Sequence, residues 1–410
     1  MKTAGIIAEY NPFHQGHHYH IEETRRLTSA DYIVIVMSGN FTQRGHAAIM
    51  DKYSRAKLAL EHGADLVLEL PVCFATASAK HFAFGGISLL NQLGVIDHLS
   101  FGSEDGSLEE LLKLSSFLLE EPEQFRCCLQ TALREGLSYP RARALALEKC
   151  LSCSCAERIT LPNNILALEY CMALLSLNSS MKAVTVKRIH SGYHDASLSA
   201  TGCSSATAVR KALLQGFLPP LEGQLPFLVY EELNREYGHT LPMEINDFSS
   251  LLHYHLFLNE QKDLTSYADV HRELADRILN HLYSFTGYEA FCDLLKTKEL
   301  THSRISRSLL HILLNIRAAD MIRYEGEGYT RYGRILGFRK TAAPLLHAIK
   351  ANSSIPLISK LADSAKRLDS LSLSMLETDI RASHVYESVL SQKFNRPFRN
   401  EYVRQFPIVS

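Results

Sequence analysis

Two histidines and one glycine stand where a short apolar run gives way to a helical pattern. The run of residues 5–8 ends at Glu9, and His14, Gly16 and His17 follow within the next eight positions. Gly16 would let a ligand approach the backbone closely, and the free N–H groups that begin a helix carry partial positive charge. Such a turn accommodates phosphate, and the two imidazoles could donate hydrogen bonds to a departing pyrophosphate. The plainer interpretation is a strand-end turn whose polar residues only cap the helix.

Three further polar segments could contribute to the same chemistry. The loop of residues 38–45 ends in glycine and contains Arg44 as its only permanent cation. Gly102 follows an apolar run that ends at Phe101, where a nucleotide base or ribose could lie against bare backbone. Ordinary turns are the alternative for both segments. Residues 204–210 are rich in hydroxyl groups, which predicts either a second phosphate site at a helix start or an ordinary capped helix.

The elements that must position these residues alternate between strand and helix. Strands are predicted from apolar runs at residues 3–8, 32–37, 66–70, 98–101 and 182–189. Helical spacing between the runs favours an α/β fold with a Rossmann-like parallel sheet. Ligands bind beyond the carboxyl ends of such strands, so the loops after the first four strands should form the mouth of a site. These loops are residues 9–16, 38–45, 71–79 and 102–106.

The length of the chain predicts two domains. A chain of 410 residues is too long for one ordinary domain of about 100–200 residues. Pro219, Pro220, Gly223 and Pro226 indicate a linker. We therefore predict a nucleotide-binding domain in residues 1–218 and a mainly α-helical domain in residues 219–410.

The charge and the apolar patterning limit the partners and the location. A formal net charge of -1 gives no general attraction to nucleic acid or membrane, so a polyanion would need a local patch. No stretch approaches the roughly 20 apolar residues of a membrane-spanning helix. The first eight residues have the pattern of a strand rather than an export signal. We expect a cytoplasmic protein that does not act at a membrane.

Nine cysteines are scattered through the chain, and in the absence of an export signal reduced thiols are the simplest prediction. Cys150, Cys153 and Cys155 could supply three zinc ligands. A closed structural site usually has four ligands, and no second pair with zinc spacing follows. Free thiols are favoured over zinc, and no metal site is predicted.

Longer motifs resemble those of one known family. Residues 11–17 resemble the H-x-G-H signature shared by nucleotidyltransferases and class I aminoacyl-tRNA synthetases, although the Lys-Met-Ser-Lys-Ser loop of the synthetases is missing. The wider motifs resemble the bacterial tRNA(Met) cytidine acetate ligases, and the similarity covers nearly the whole chain. These motifs are residues 8–14, 37–45, 161–170, 187–195 and 335–338.

The resemblance implies a nucleotidyltransferase domain in residues 1–218 and a reaction in two steps. Acetate and ATP, accompanied by Mg²⁺, would give acetyl-adenylate and pyrophosphate. The acetyl group would then pass to N4 of the wobble cytidine of elongator tRNA(Met), which forms N4-acetylcytidine. The predicted catalytic residues are His14, His17 and Arg44, with Ser38 and Asn40 helping Arg44 to orient acetate.

The resemblance also implies which residues contact ATP. They are Ile7, Ala8, Glu9, Tyr10, Asn11, Pro12, Phe13, His14, Gln15, Gly16, His17, His18, Tyr19, His20, Gly102, Asn163 and Arg188. Arg188 follows a predicted strand and could pair with phosphate through two hydrogen bonds, or it could be an exposed strand-end arginine.

A cationic segment is the predicted tRNA contact. Between residues 296 and 350, eleven Lys and Arg residues stand against four Asp and Glu residues. Interleaved aromatic residues could stack on unpaired bases, although solvated helix faces would also explain the charges. The predicted tRNA contacts are Arg304, Arg307, Arg331 and Arg334, and the aromatic residues are Tyr324, Tyr329, Tyr332 and Phe338.

Two other functions remain open on the sequence alone. A nucleotidyltransferase that acts on a small phosphate metabolite would not need the cationic segment. A tRNA-binding factor with a relict nucleotide pocket would not need the histidines. No obligate protein partner is evident, and the sequence does not assign a base for the acetyl transfer.

Overall fold

The computed structural model describes residues 1–104, 106–137, 139–151, 161–187 and 204–410. The strands in these ranges are β1 (Thr3–Ala8), β2 (Tyr32–Ser38), β3 (Leu66–Leu70), β4 (His98–Ser103), β5 (Lys182–Lys187), β6 (Gly333–Arg339), β7 (Leu357–Ile358) and β8 (Ile408–Val409). They form one sheet in the order β5-β4-β1-β2-β3-β6-β7, and β8 pairs with β6. All of these pairs are parallel except β3 with β6. The predicted parallel α/β sheet is therefore confirmed.

Helices cover both faces of the sheet. In the first half of the chain they are α1 (Gln15–Thr28), α2 (Lys52–Glu61), α3 (Val72–Ala75), α4 (Ala79–Gln92), α5 (Leu108–Glu120), α6 (Glu123–Arg134), α7 (Tyr139–Leu151), α8 (Pro162–Ser176) and α9 (Ala206–Leu214). In the second half they are α10 (Phe227–Glu236), α11 (Ser249–Leu258), α12 (Arg272–His281), α13 (Tyr288–Leu295), α14 (His302–Leu314), α15 (Ala318–Gly326), α16 (Ala343–Asn352) and α17 (Ser370–Lys393). Short 3₁₀ turns lie at Pro219–Leu221, Ile245–Phe248, Leu264–Ser266, Leu282–Ser284, Lys340–Ala342, Leu361–Lys366 and Glu401–Val403.

The centre of the sheet is apolar on both faces, as expected for parallel strands that helices cover. Residues 33–37 of β2 are completely buried, and they are mostly β-branched residues that suit a pleated strand. The register places Ile6 of β1 beside both Ile35 of β2 and Ser100 of β4. The carboxyl ends of β1, β2 and β4 therefore meet at one edge of the sheet, where the sequence predicted a site.

The carboxyl-terminal part of the chain contributes strands that the sequence analysis did not predict. Strand β6 pairs antiparallel with β3, so that Leu66 lies opposite Phe338 and Glu69 opposite Arg334. Strands β7 and β8 then pair with β6. The part after residue 218 is mainly helical, as predicted, but it completes the sheet of the first part. The division at residues 218 and 219 stays a prediction.

Four charged residues are buried where β3 and β6 meet the end of the chain. The Lys52 ammonium lies 2.8 Å from Glu69 Oε1 and 2.7 Å from Glu401 Oε1. The Arg334 guanidinium lies 3.1 Å from Glu69 Oε2 and 2.6 Å from Glu401 Oε1. Buried charges of this kind are tolerated only when they are paired, and removal of one partner is strongly destabilising. The network therefore fastens the end of the chain to the sheet.

None of the helices in the described ranges has the length and apolar character needed to cross a membrane.

Candidate active site

A cleft of about 280 Å³ opens at the carboxyl ends of β1, β4 and β5. The first turns of α1, α8 and α9 form its other walls. Its position matches the crevice in which parallel α/β sheets bind ligands. The described residues that line it include Ile7, Ala8, Glu9, Tyr10, Asn11, His14, Gly16, His17, Tyr19, His20, Gln43, Arg44, Gly102, Asn163, Tyr170, Lys187, Ser204, Ser205, Thr207 and Arg210.

The turn of residues 9–17, which we call the histidine turn, fixes both imidazoles through its backbone. The Gly16 N–H donates to His14 Nδ1 at 3.1 Å, and the His14 N–H donates to His17 Nδ1 at 3.3 Å. A ring nitrogen that accepts a hydrogen bond carries no proton, so each neutral ring is protonated at Nε2. The two rings stack with centroids 3.7 Å apart. The turn thus presents two Nε2–H donors beside the amino end of α1.

Glycine at position 16 leaves room for the His14 ring beside the start of α1. A Cβ atom there would lie 3.0 Å from His14 Cε1 and 3.2 Å from His14 Nδ1. These distances are tighter than ordinary van der Waals contact, so the His14 ring would have to shift by a few tenths of an ångström to make room for a side chain.

An aromatic layer supports the histidine turn. Phe13 is fully buried, and its ring centroid lies 4.9 Å from that of Tyr10. The Tyr10 ring also contacts His17 at 4.8 Å. Burial raises the pKa of the Tyr10 hydroxyl, which has no hydrogen-bond partner within the described part of the chain. A buried hydroxyl without a partner is unfavourable, so this oxygen is a candidate contact for a bound nucleotide.

Arg44 stands on a short hairpin of residues 41–47, which we call the Arg44 hairpin. Phe41 and Ala47 form an antiparallel bridge at its base, and Arg44 is exposed near its tip. The Gln43 N–H donates to Glu9 Oε1 at 2.7 Å, which ties the hairpin to the end of β1. The predicted position of Arg44 beside the histidine turn is therefore supported, because both line the cleft.

Helix α14 holds the other side of the Arg44 hairpin. The Ser306 hydroxyl donates to the Gly45 carbonyl at 2.8 Å. Gly45 has a φ of 77°, and a Cβ atom there would lie 2.5 Å from the Arg307 backbone nitrogen. Glycine at position 45 therefore permits both the left-handed turn and the close approach of α14. The helix that carries Arg304 and Arg307 is thus in direct contact with the hairpin that carries Arg44.

The mouth of the cleft beside Arg44 is electropositive. Burial, and then the neighbouring charges of Arg210, His302 and Arg44, lower the pKa of His46 to about 4. The His46 and His302 ring centroids lie 6.5 Å apart. His46 is accordingly neutral at pH 7, while the two arginines supply permanent positive charge. An anion would be attracted to this mouth.

Arg55 of α2 is a positioning residue that the sequence analysis missed. Its side chain is completely buried, and it donates to the carbonyls of Glu9 at 2.6 Å, Ser38 at 3.1 Å and Met50 at 3.1 Å, and to that of Gly39. Burial lowers the pKa of its guanidinium. One cation therefore joins the ends of β1 and β2. No local signal distinguishes it, because an arginine in a helical pattern normally predicts a solvated face.

Helix α9 begins against the histidine turn. The Arg210 guanidinium donates to the Asn11 carbonyl at 2.7 Å and to Thr207 Oγ1 at 3.1 Å. The Ser205 hydroxyl accepts from the Ala208 N–H at 3.1 Å, which confirms the predicted helix cap. The first turn of α9 lines the same cleft as α1, which is compatible with a second phosphate site. That site stays a prediction.

The opposite wall contains two of the residues that the resemblance assigned to ATP. Gly102 and Asn163 both line the cleft. The Asn163 amide donates to Glu104 Oε1 at 2.7 Å, and the Glu104 N–H donates to Asn164 Oδ1 at 3.0 Å. These bonds fasten the start of α8 to the end of β4. Arg188, the third predicted contact outside the histidine turn, lies outside the described residues.

Some predicted contributors do not reach the cleft. Ser38 is fully buried, the Asn40 side chain accepts from the Lys52 N–H at 2.9 Å, and neither residue lines the cleft. Residues 71–79, all of them described, do not line the cleft, which corrects the predicted mouth. They form α3 and its flanks beneath α17, whose Asp379 accepts from the Val72 N–H at 2.7 Å. Of the predicted ATP contacts from Ile7 to His20, those absent from the lining are Pro12, Phe13, Gln15 and His18.

The four predicted tRNA arginines have different environments. Arg304 is half-buried on the first turn of α14, and its side chain forms no ion pair with any described residue. The Arg307 Nε atom lies 3.4 Å from Asp269 Oδ2. The Arg331 guanidinium lies 2.7 Å from Asp369 Oδ2, and this contact, after the hydrogen bond from the Ser372 backbone, lowers the pKa of Asp369 to about 2.

The prediction that Arg334 contacts tRNA requires a correction. Its side chain is only 3% exposed and is held between Glu69 and Glu401, so it cannot reach a phosphate in this conformation. Tyr324 and Tyr332 are also buried, and they are therefore unable to stack on a base. Of the interleaved aromatic residues, Tyr329 and Phe338 are half-buried.

The cysteine cluster falls partly outside the described residues. Cys150 at the end of α7 is a free thiol, while Cys153 and Cys155 belong to the undescribed part. Among the described residues, no three His, Cys, Asp or Glu side chains lie close enough together to hold a metal ion.

Comparison with known proteins identifies relatives over the whole chain. The family model for HIGH Nucleotidyl Transferase matches residues 1–401. The tRNA(Met) cytidine acetate ligase of Thermoanaerobacter sp. (strain X514) is 39% identical over 388 residues, which are 94% of this chain and 95% of the relative. The crystal structure of apo Thermotoga maritima TmcAL is 30% identical, with a TM-score of 0.93 over 100% of both chains. The same protein bound with alpha-thio ATP gives a TM-score of 0.91 at 30% identity, again over 100% of both chains.

Proposed function

The chain belongs to the tRNA(Met) cytidine acetate ligase family of HIGH nucleotidyl transferases, and we propose that it acetylates a tRNA cytidine in two steps. Acetate attacks the α-phosphate of ATP, which releases pyrophosphate and leaves acetyl-adenylate in the cleft. The N4 amine of the wobble cytidine in elongator tRNA(Met) then attacks the acetyl carbonyl. AMP departs, and N4-acetylcytidine is the product.

The geometry of the histidine turn carries this proposal. His14 and His17 present Nε2–H donors beside the amino end of α1, and all three line one cleft. These groups stabilise the negative charge that develops on pyrophosphate as it leaves the α-phosphate. The relative of known structure binds alpha-thio ATP, which supports ATP as the nucleotide.

We place acetate beside Arg44. Acetate has few atoms and contributes little binding energy of its own, so its position relative to ATP must supply most of the rate. Arg44 is held for this purpose by the Glu9 contact on one side of its hairpin and by α14 on the other. The guanidinium would pair with the carboxylate and orient one oxygen toward the α-phosphate.

Mg²⁺ is proposed to enter with ATP. The described residues offer no cluster of metal-binding side chains, so phosphate oxygens and water would be its main ligands. The ion supplies additional charge neutralisation on the leaving pyrophosphate. The residues of the chain bind and orient the nucleotide.

The tRNA would approach over α14. Arg304 is the best placed of the predicted contacts, and Arg307 and Arg331 would have to exchange their carboxylate partners for phosphate. The anticodon loop is single-stranded, so its wobble base can be unstacked and inserted into the cleft. A tRNA substrate also leads us to propose the cytoplasm as the location, and the proposal needs no protein partner.

One experiment tests substrate and reaction together. Purified protein is incubated with ATP, labelled acetate and tRNA, and the tRNA is digested and analysed by mass spectrometry. We expect one labelled acetyl group on one cytidine of elongator tRNA(Met), with AMP and pyrophosphate as co-products. Pyrophosphate exchange into ATP that needs a phosphate metabolite instead of acetate would contradict the proposal. So would a protein that retains tRNA and catalyses no exchange.

A further inference from the structure

One carboxylate faces the cleft among the described residues that line it, and it belongs to Glu9. Glu9 follows β1 directly and begins the histidine turn. Its Oε1 atom accepts from the Gln43 N–H at 2.7 Å, and its Oε2 atom has no hydrogen-bond partner within the described ranges. The residue is half-buried. One oxygen is thus fixed in direction by the Arg44 hairpin, while the other remains able to accept a proton.

The described histidines of the cleft are unsuited to accept a proton from a substrate. His14 and His17 each use Nδ1 to accept a backbone N–H, so their Nε2 atoms are donors and cannot take up a proton. His20 lies farther along α1, and its Nε2 atom is 3.1 Å from the Ser100 hydroxyl. The histidines suit the departing pyrophosphate, whereas a proton acceptor has to be found elsewhere.

The surroundings hold Glu9 in a defined position. Its carbonyl accepts from the buried Arg55 guanidinium at 2.6 Å. Burial, and then the charge of Glu9, raise the pKa of Tyr170 on the facing helix α8, so Tyr170 meets the carboxylate as a neutral phenol. Arg44 follows Gln43 directly in the hairpin that Glu9 anchors. The carboxylate therefore lies at the start of the histidine turn, against the hairpin that carries Arg44.

We propose that Glu9 is the general base of the acetyl-transfer step. This inference rests on the proposed function. The N4 amine of cytidine attacks the acetyl carbon of acetyl-adenylate, a C–N bond forms, and the bond from that carbon to the phosphate oxygen of AMP breaks. The electron pair of the broken bond leaves with AMP, and the amine proton moves to Glu9 Oε2 and then to solvent.

The chemistry of the nucleophile explains why a base is needed here. An amine attached to an aromatic ring is a weak nucleophile, and it becomes positively charged as the C–N bond forms unless its proton is removed. A positioned base typically accelerates such a step by about 10²–10⁴-fold. The first step has no such requirement, because acetate is already an anion when it attacks.

The test measures the two reaction steps separately in the variant Glu9→Gln. Glutamine keeps an oxygen that can accept the Gln43 N–H, but it cannot take up a proton. Acetate-dependent exchange of pyrophosphate into ATP reports the first step, and rapid-quench transfer from preformed enzyme-bound acetyl-adenylate to tRNA reports the second. We expect transfer to fall by about 10²–10⁴-fold more than exchange, because only the second step needs a proton acceptor.

Glu9→Asp is the matched variant, because it keeps a carboxylate and shortens its reach by one methylene. Transfer should recover in Glu9→Asp to well above the rate of Glu9→Gln. Transfer at the wild-type rate in Glu9→Gln would overturn the assignment. So would an equal loss of exchange and transfer, since Glu9 would then serve the first step or the fold. If the wild-type protein shows no acetate-dependent exchange, the proposed function itself has failed.

Discussion

The histidine turn and the cationic segment of residues 296–350 were both predicted from charged or polar residues at close spacing. In the structure the histidine turn is one continuous arrangement, and most of its residues line the same cleft. The cationic segment is divided. Arg304 has no ionic partner among the described residues, Arg307 and Arg331 are paired with carboxylates, and Arg334 is buried.

The difference shows which patterns a sequence encodes locally. The hydrogen bonds of the histidine turn join residues two or three positions apart, so the order of residues largely determines the geometry. The environment of the paired arginines depends mainly on carboxylates that lie far away in the chain. Arg334 meets Glu69 and Glu401, and Arg307 meets Asp269. A count of charges therefore predicts a surface only when burial is known.

The largest expected effect concerns Arg334. Arg334→Met should lower the free energy of unfolding by about 3–5 kcal/mol, because it leaves Glu69 and Glu401 buried with less compensation. Urea unfolding measures this, with Arg323→Met as the control, since that side chain is 64% exposed and should change stability by less than about 0.5 kcal/mol. A stable Arg334→Met protein with weakened tRNA binding would restore Arg334 as a phosphate contact.

The next effect concerns the histidine turn. His17→Ala should slow acetate-dependent pyrophosphate exchange by about 10²–10³-fold, because one donor to the leaving group is lost. His18→Ala is the neighbouring control. Its ring lies outside the cleft and contacts Glu22, so exchange should fall by less than about threefold. Equal losses in both variants would mean that the helix start, rather than the imidazole, matters.

A smaller effect tests the contact between the two regions. Ser306→Ala removes the hydrogen bond from α14 to the Arg44 hairpin, whereas Ser308→Ala removes a bond from the same helix to the Asp269 carbonyl. Both changes should destabilise the fold by about 1–3 kcal/mol. Ser306→Ala alone should also raise the KM for acetate, by about 3–10-fold, on the scale of one hydrogen bond. The same rise in Ser308→Ala would remove the special role of Ser306.

The smallest effect concerns Arg304, the predicted tRNA contact that has no ionic partner among the described residues. Arg304→Gln should reduce the log-log slope of tRNA affinity against salt by about 0.7–0.9, as expected for one lost phosphate contact. Arg272→Gln is the control, because Arg272 is 69% exposed on α12 and lies outside the segment. Filter binding over a range of salt concentrations measures both slopes. Equal slopes for wild type and Arg304→Gln would move the tRNA path away from α14.

The sequence predicted the parallel strands and the histidine turn because each depends on short-range patterns. The predicted run 66–70 and strand β3 coincide, and His14 caps α1, as the plainer interpretation of that turn predicted. Helical periodicity does not locate helix ends, and the segment after β4 divides into α5, α6 and α7. Strand β6 was missed because its pattern of glycine and arginine is not that of an apolar run, and its partner β3 lies far away in the chain.

Arg55 illustrates a second limit of prediction from local sequence patterns. A helix containing Lys52 and Arg55 predicts a solvated face, yet both side chains are completely buried. Their partners are a carbonyl cluster at the strand ends and two distant carboxylates. Neither set of partners can be recognised from local spacing, so the support beneath the cleft becomes apparent only once the fold is known.

The position of β6 near the end of the chain has a consequence for synthesis on the ribosome. Strand β3 is complete at residue 70, but the strand that covers its outer edge begins at residue 333. While the intervening chain is made, Leu66–Leu70 has an open backbone edge in an apolar strand, which is a template for aggregation. The nascent chain would therefore expose this edge until its last fifth emerges, and a truncation before residue 333 should be prone to aggregate.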